Sequence, residues 1–203
     1  MKKLQTSQFY QDEVLTNAEQ YAEYIRVQIE RRNLKKDKKR DELYYKKFFD
    51  ELIEYLDNSR HYEMICYGTR NNNERDLWKH WFNQFKYDVS VYSLDIASGS
   101  EADFVCDFNK LPSDFENRWN IIFSNSLDHA VDATETLFGW IKSLKSGGLA
   151  IVFLCYGTTP SNTDCSTFDN PSANAFVEDN KDNKDFRILK YYHDSTTLII
   201  RRI

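Results

Sequence analysis

A chain of 203 residues with 41% hydrophobic and 15% aromatic residues can bury a sizeable core in one domain, with room for an added helical segment. A net charge of -5 excludes any general electrostatic case for a nucleic-acid partner. The opening MKKLQTSQFYQDE lacks the apolar run of a signal peptide, and no stretch is long enough to span a membrane. A reduced, cytoplasmic location is therefore expected.

Residues Ser7–Leu56 read as helical throughout, because neither glycine nor proline occurs before Gly68 and apolar residues recur at helical spacing. Tyr21, Tyr24, Ile25 and Ile29 form one set, and Leu43, Tyr44, Phe48, Phe49, Leu52, Ile53 and Leu56 a second. A break is expected near Asn33–Lys38. The second set should pack on a sheet, and the first either folds over a ligand site or serves an oligomer contact. The run Arg31–Arg40 (RRNLKKDKKR) concentrates positive charge in an acidic chain. It reads as a solvated helix face, with a patch for RNA, phosphate or an acidic substrate as the alternative. These features set residues 1–58 apart as an N-terminal helical segment, followed by an α/β domain over 59–203.

Strand and helix alternate from Glu63 onward. Met64–Tyr67 reads as a buried strand, Gly68 as a tight turn, and the following polar residues as the start of a helix carrying Leu77, Trp78, Trp81, Phe82 and Phe85 on its apolar face. Glycine lets backbone turn sharply beside a ligand, and a helix N-terminus offers N–H donors. Asp88–Ile96 is a second strand and Ala102–Phe108 a short third, both ending in acids. Leu111–Phe115 is a turn, and Trp119–Ser124 (WNIIFS) a central parallel strand covered on both faces. Thr134–Leu144 is a helix stopped at Ser146–Gly148 by a left-handed glycine cap, and Leu149–Cys155 is the next buried strand. Tyr156–Asn183 is polar and reads as a long irregular loop. Phe186–Tyr192 and Thr196–Arg202 read as a terminal antiparallel hairpin.

Cys66, Cys106, Cys155 and Cys165 form no CxxC pair, so zinc ligation is not expected. Cys66 and Cys106 sit in apolar strand contexts and should pack as small hydrophobes. His61, His80 and His193 read as surface or packing residues.

Polar residues gather at the carboxyl ends of successive strands: Gly68–Glu74, Asp95, Asp107 and Asn125–His129. In open α/β sheets the ligand crevice lies along this edge. Asp95 is placed to accept hydrogen bonds from two ribose hydroxyls, and Asp107 from an exocyclic adenine amine. Either acid alone would read equally as a cap or turn residue.

From Glu63 to the C-terminus, four segments carry a resemblance to a known family: CYGTRNNNE, the acid of YSLDI, VCDFNKLP, and IIFSNSLDHA followed by LKSGGLAIVF. This order resembles the class I S-adenosylmethionine-dependent methyltransferases. The resemblance implies a Rossmann-like methyltransferase fold, a mostly parallel sheet ending in an antiparallel hairpin, with S-adenosyl-L-methionine as cofactor. It further implies that Gly68, Thr69 and their loop lie against the methionine part, that Asp95 with Ile96 holds the ribose, and that Asp107 with Phe108 frames the adenine. Ser124 and Asn125 would line the crevice near the sulfonium. Cys66, Arg70 and Asn72 stand where the family's first motif usually has an acid and two further glycines. Glu74 would then meet the cofactor's ammonium, or Arg70 its carboxylate.

The Asp/Asn-Pro-Pro-aromatic motif of base-amine methylation is missing, since Asn125-Ser126-Leu127-Asp128 occupies its place. Asp128-His129 sits where a general base would deprotonate a hydroxyl. The alternative for His129 is a structural hydrogen bond or a cofactor contact. The expected reaction is O-methylation of a small molecule, such as a sugar or related metabolite. An RNA methyltransferase docking through Arg31–Arg40 and a non-catalytic cofactor-binding regulator are the rivals. A nicotinamide-dependent oxidoreductase ranks lowest, because its glycine fingerprint is absent.

Overall fold

The computed structural model describes residues 18–34, 42–154 and 170–203. Alternation decides how its continuous apolar runs are used. In β1 (Tyr62–Tyr67), Met64 and Cys66 face one side of the sheet, while Ile65 and Tyr67 face the other. In β4 (Trp119–Ser124), Ile121 and Phe123 divide from Trp119 and Ile122 in the same way. Both faces must then be covered, and helices cover both. On one face, α2 (Glu42–Ile53) and α3 (Asn73–Gln84) bury Phe48, Phe49, Leu52, Trp78, Trp81 and Phe82. On the other, α4 (Ala133–Ser143) and α5 (Asn170–Asp179) bury Leu137, Trp140, Ile141, Ala173 and Phe176.

The remaining strands are β2 (Val89–Asp95), β3 (Phe104–Val105), β5 (Leu144–Phe153), β6 (Phe186–Tyr192) and β7 (Thr197–Arg202). They complete a seven-stranded sheet in the order β3-β2-β1-β4-β5-β7-β6. Pairing is parallel from β3 through β5 and antiparallel at β5–β7 and β7–β6. The order reverses between β1 and β4, so the crevice of such a sheet opens outside their carboxyl ends.

Several expectations need correction. Ala102–Phe108 pairs only over Phe104–Val105, and Cys106 is half-buried beyond the strand. The helix cap expected at Ser146–Gly148 is instead part of β5: α4 ends at Ser143 with Leu144 extended, and the ladder to β4 shifts register between Trp119 and Ile121. Gly147 takes its left-handed φ of 78° inside this irregularity. A Cβ on Gly148 would stand 2.8 Å from the Lys145 carbonyl oxygen and 3.1 Å from that of Asn120. Both are backbone atoms, so Gly148→Ala is expected to lower stability by about 1–3 kcal/mol. Gly99→Ala meets open space and serves as the control, both read by urea denaturation.

The loop expected over Tyr156–Asn183 contains α5, whose Ala173, Phe176 and Val177 keep helical spacing among polar neighbours. Residues 155–169, with Cys155 and Cys165, lie outside the described residues. Phe85, expected on the buried face of α3, caps the helix and is 42% exposed. His61, His80 and His193 are exposed.

Helix α1 (Ala18–Leu34) precedes α2, and the break expected near Asn33–Lys38 lies mostly outside the described residues. Among the described helices none is long and apolar enough to cross a membrane. Helix α1 buries Tyr24 fully, and its small apolar cluster comprises Tyr21, Tyr24 and Ile25 with Val131. Polar contacts hold the rest. The Tyr24 hydroxyl donates to the His129 carbonyl at 2.7 Å and accepts from the Asn109 amide at 3.1 Å. The Tyr21 hydroxyl donates to the Asp107 carboxylate, beneath Lys110, whose Nζ lies 3.6 Å from the ring centroid. These contacts lay α1 across the carboxyl edge of the sheet.

Candidate functional site

The loop after β1 shows how a glycine-poor sequence makes a glycine-type turn. Gly68, Arg70 and Asn72 all adopt positive φ, at 74°, 41° and 59°. Such a conformation costs a non-glycine residue roughly 1–2 kcal/mol, least for asparagine. The two residues standing in for further glycines therefore keep the glycine backbone. Asn72 is buried and fixed by its amide donating to the Glu101 carbonyl at 2.8 Å. The loop's first donors are spent on β2 rather than left open. The N–H groups of Gly68 and Thr69 reach the Leu94 carbonyl at 2.8 and 3.2 Å, and that of Arg70 bonds Asp95.

Asp95 ends β2 and is buried. Its Oδ1 accepts the Ala97 N–H at 2.8 Å and lies 3.4 Å from Arg32 Nε on α1. Burial pushes this carboxyl above the ordinary carboxylate range, against the lowering pull of the Ala97 N–H and the Arg32 charge. Phe108 is buried beside Gly68, its ring edge-on to Trp140 at 5.5 Å. His129 closes the far side on a short 3-10 turn after β4, Leu127–His129.

These groups bound a crevice at the switch point. Of the residues expected from sequence, Gly68, Arg70, Asp95, Ile96, Phe108 and His129 line it. The others lie around it. Thr69 is buried with its hydroxyl on Asn72 at 3.3 Å. Ser124 is fully buried, donating to the Tyr67 carbonyl at 3.1 Å and accepting the Ser126 N–H at 3.2 Å. The Asn125 amide donates to the Tyr45 hydroxyl at 2.7 Å and to Glu74 at 3.2 Å, on the α2 side. Asp107 is bound by Tyr21 and by Asn109, whose amide donates at 2.8 Å. Asp128 lies 3.9 Å from His129 Nε2.

Helix α1, one of whose expected roles is to fold over a ligand site, supplies side chains not singled out as site residues from the sequence. Tyr24, Gln28, Arg31 and Arg32 line the same crevice, together with Ser126. The four fall at i, i+4, i+7 and i+8, one helical face. That spacing was available in the sequence, but the charge run drew the two arginines toward solvent. Arg31 Nη1 stands 3.5 Å from His129 Nδ1. Arginine only donates, so a hydrogen bond here would use the lone pair of the Nδ1 acceptor tautomer.

The donor set fits a nucleoside. A buried acid is ready for hydroxyls, an aromatic wall stands beside it, and a residue without a side chain lies between them. Only about 50 Å³ is enclosed beneath α1, against roughly 300–1,000 Å³ for ordinary ligand sites. The crevice is open to solvent on one side, so a cofactor of nucleoside size would extend beyond this enclosed part.

Strand order and crevice together define the Rossmann-like fold of the class I S-adenosylmethionine-dependent methyltransferases. No protein-family model and no curated protein matches the sequence. Solved structures do match in fold. The carbon methyltransferase CurJ is similar over 84% of this chain and 57% of its own, with a TM-score of 0.57 and 15% identity. The CMeT domain of the citrinin polyketide synthase is similar over 76% and 50%, at 0.53 and 11%. The chain thus spans about half the length of these two. The 1,6-didemethyltoxoflavin-N1-methyltransferase of Burkholderia thailandensis, solved with 1,6-didemethyltoxoflavin and S-adenosylhomocysteine, is similar over 92% and 90%, at 0.52 and 13%.

Proposed function

We propose that the protein is an S-adenosylmethionine-dependent methyltransferase acting on a hydroxyl of a small molecule. The observation that carries the cofactor is the buried Asp95 facing the crevice beside Gly68 and Phe108, at the switch point of this fold. Bound there, S-adenosylmethionine supplies an electrophilic methyl group. Asp95 would hold its ribose and Phe108 its adenine. In-line displacement leaves the protein chiefly the task of positioning.

The placement of α1 supports a small acceptor. Arg31 and Arg32, the first cations of the basic run, turn into the crevice instead of outward toward a polymer. The Burkholderia enzyme, similar along nearly its whole length, holds 1,6-didemethyltoxoflavin with S-adenosylhomocysteine. The three similar enzymes are carbon or nitrogen methyltransferases where their names say, so the oxygen reading rests on His129. Its Nδ1 takes an acceptor's proton once the hydroxyl replaces the Arg31 N–H there.

The test is calorimetric titration with S-adenosylmethionine and with S-adenosylhomocysteine, followed by transfer of labelled methyl to hydroxylated metabolites. Micromolar binding is expected, and a folded protein that binds neither compound overturns the proposal. His129→Gln should leave S-adenosylhomocysteine affinity within about twofold and cut turnover by about 10²–10⁴-fold, the usual weight of a general base. Equal losses in both would make His129 a binding residue.

A further inference from the structure

Helix α1 brings one group to the crevice that the fold's own strands do not provide. Arg32 Nε is buried, and among the described residues no acceptor meets its N–H at hydrogen-bonding geometry. The nearest acidic oxygen, Asp95 Oδ1, is 3.4 Å away and already accepts the Ala97 N–H. The other end of the guanidinium donates from Nη1 to Asn33 at 3.1 Å, so the side chain is held while Nε is left over. A buried donor without an acceptor is costly and uncommon, and at a crevice it marks where a ligand atom belongs.

A hydroxyl answers both groups, because it donates one hydrogen bond and accepts another. It would donate to the carboxylate and accept from the guanidinium. A carbonyl oxygen only accepts, so it answers the guanidinium and not the carboxylate; a water does both, and a ribose diol would take its place with two hydroxyls held in one unit. Resting on the cofactor reading above, we infer that Arg32 is a ribose-binding residue and that α1 forms one wall of the cofactor site.

Two consequences follow. The pair acts as a unit, so the contributions of Arg32 and Asp95 to affinity are coupled rather than independent. The helix, held mainly by polar contacts of Tyr21, Tyr24 and Arg32, gains an anchor when the cofactor binds and should exchange its amide hydrogens more slowly.

The experiment is calorimetric titration of the full chain with S-adenosylhomocysteine, using wild type, Arg32→Gln, Arg32→Lys, Asp95→Ala and the Arg32→Gln/Asp95→Ala double variant. Circular dichroism confirms that each is folded. Hydrogen exchange over Ala18–Leu34 is followed with and without S-adenosylhomocysteine. Arg32→Gln should weaken binding about tenfold, the loss of one charge-assisted hydrogen bond. Arg32→Lys should weaken it as well, since lysine keeps the charge but lacks the planar N–H fork. The double variant should lose less than the product of the single losses, and exchange over α1 should slow on binding in the wild type only. If Arg32→Gln binds as wild type while Asp95→Ala fails, Arg32 is no part of the ribose site, and the cofactor reading stands. Tighter binding by Arg32→Gln would show Arg32 competing with the ligand, which also overturns the inference. If wild type binds no S-adenosylhomocysteine, the cofactor reading itself falls.

Discussion

Gly68→Ala is expected to damage the fold and the site together. Gly68 sits at φ 74°, where an L-residue carries a penalty of roughly 1–2 kcal/mol. Its new Cβ would also stand 2.6 Å from Ser126 Oγ and 2.7 Å from Ser126 Cβ. Ser126 has little room to yield, since its hydroxyl donates to the Gly68 carbonyl at 3.2 Å and its N–H is bonded to Ser124. Overpacking of this kind adds about 1–3 kcal/mol. A loss of roughly 2–5 kcal/mol follows, or a fall in Tm of about 5–15 °C for a chain of this size. The methyl group would also push β1 from β4 at the mouth of the crevice, so S-adenosylhomocysteine binding should fall steeply. Gly68→Ala with Ser126→Gly separates the causes. The second change removes the clash and should restore the steric part of the stability, while the penalty of positive φ remains. Thermal melts and calorimetry on the single and double variants read both parts.

The core strands were legible because they are buried on both faces. WNIIFS and YEMICY are apolar except at Asn120, Ser124 and Glu63, and β4 begins and ends where the run does. β3 is shorter than its apolar run, because such a run says nothing of how many residues find a partner at the sheet's edge. Gly147 and Gly148 are ambiguous in the sequence for a similar reason. Glycine after a helix signals a cap, but the same residue serves a bulge, and only the β4 ladder distinguishes them. Helix α5 was hidden by composition. Asn, Ser and Asp prefer turns when alone, and the burial of Ala173 and Phe176 against the sheet overrides that preference.

The candidate site was legible where one residue sits at the end of one strand. Asp95 needs only the end of β2 and a direction to be placed, whereas Phe108 lies three residues beyond the end of β3. The parts supplied by long-range packing were not. That Tyr24 reaches the His129 carbonyl, and so swings Arg31 and Arg32 over the crevice, depends on a contact spanning 105 positions, which local periodicity cannot specify. Nor does a GTRNN loop announce that Arg70 and Asn72 keep the backbone of glycine. That strain is held by tertiary bonds such as Asn72 to Glu101.

Asp95 offers a result in which stability and binding move in opposite directions. Asp95→Ala should weaken S-adenosylhomocysteine binding by about 1–3 kcal/mol, or roughly 5–150-fold, because a buried charged acceptor of ribose hydroxyls is lost. Alanine also strands the N–H groups of Ala97 and Arg70, so Asp95→Asn, which keeps an oxygen for them, is the cleaner variant. Burial raises the carboxyl's affinity for a proton in the folded state above its unfolded value. The group therefore stabilises the fold in acid, and that contribution is lost as pH rises through the raised folded value. The ionised carboxylate stabilises the unliganded fold less than the protonated acid does, so the Tm of the wild type relative to Asp95→Asn should fall as pH rises through that value, while Asp95→Asn binds more weakly. For the wild type, affinity should fall as pH drops through that raised value, since protonation removes an acceptor. For Asp95→Asn it should stay flat. A residue kept charged against the interest of the empty fold is what a binding site requires. Calorimetry and melting between pH 4 and pH 8, a range chosen to cover that titration, decide the matter. If Asp95→Asn lowers Tm and leaves affinity unchanged, Asp95 is a structural cap of the loop and the ribose belongs elsewhere.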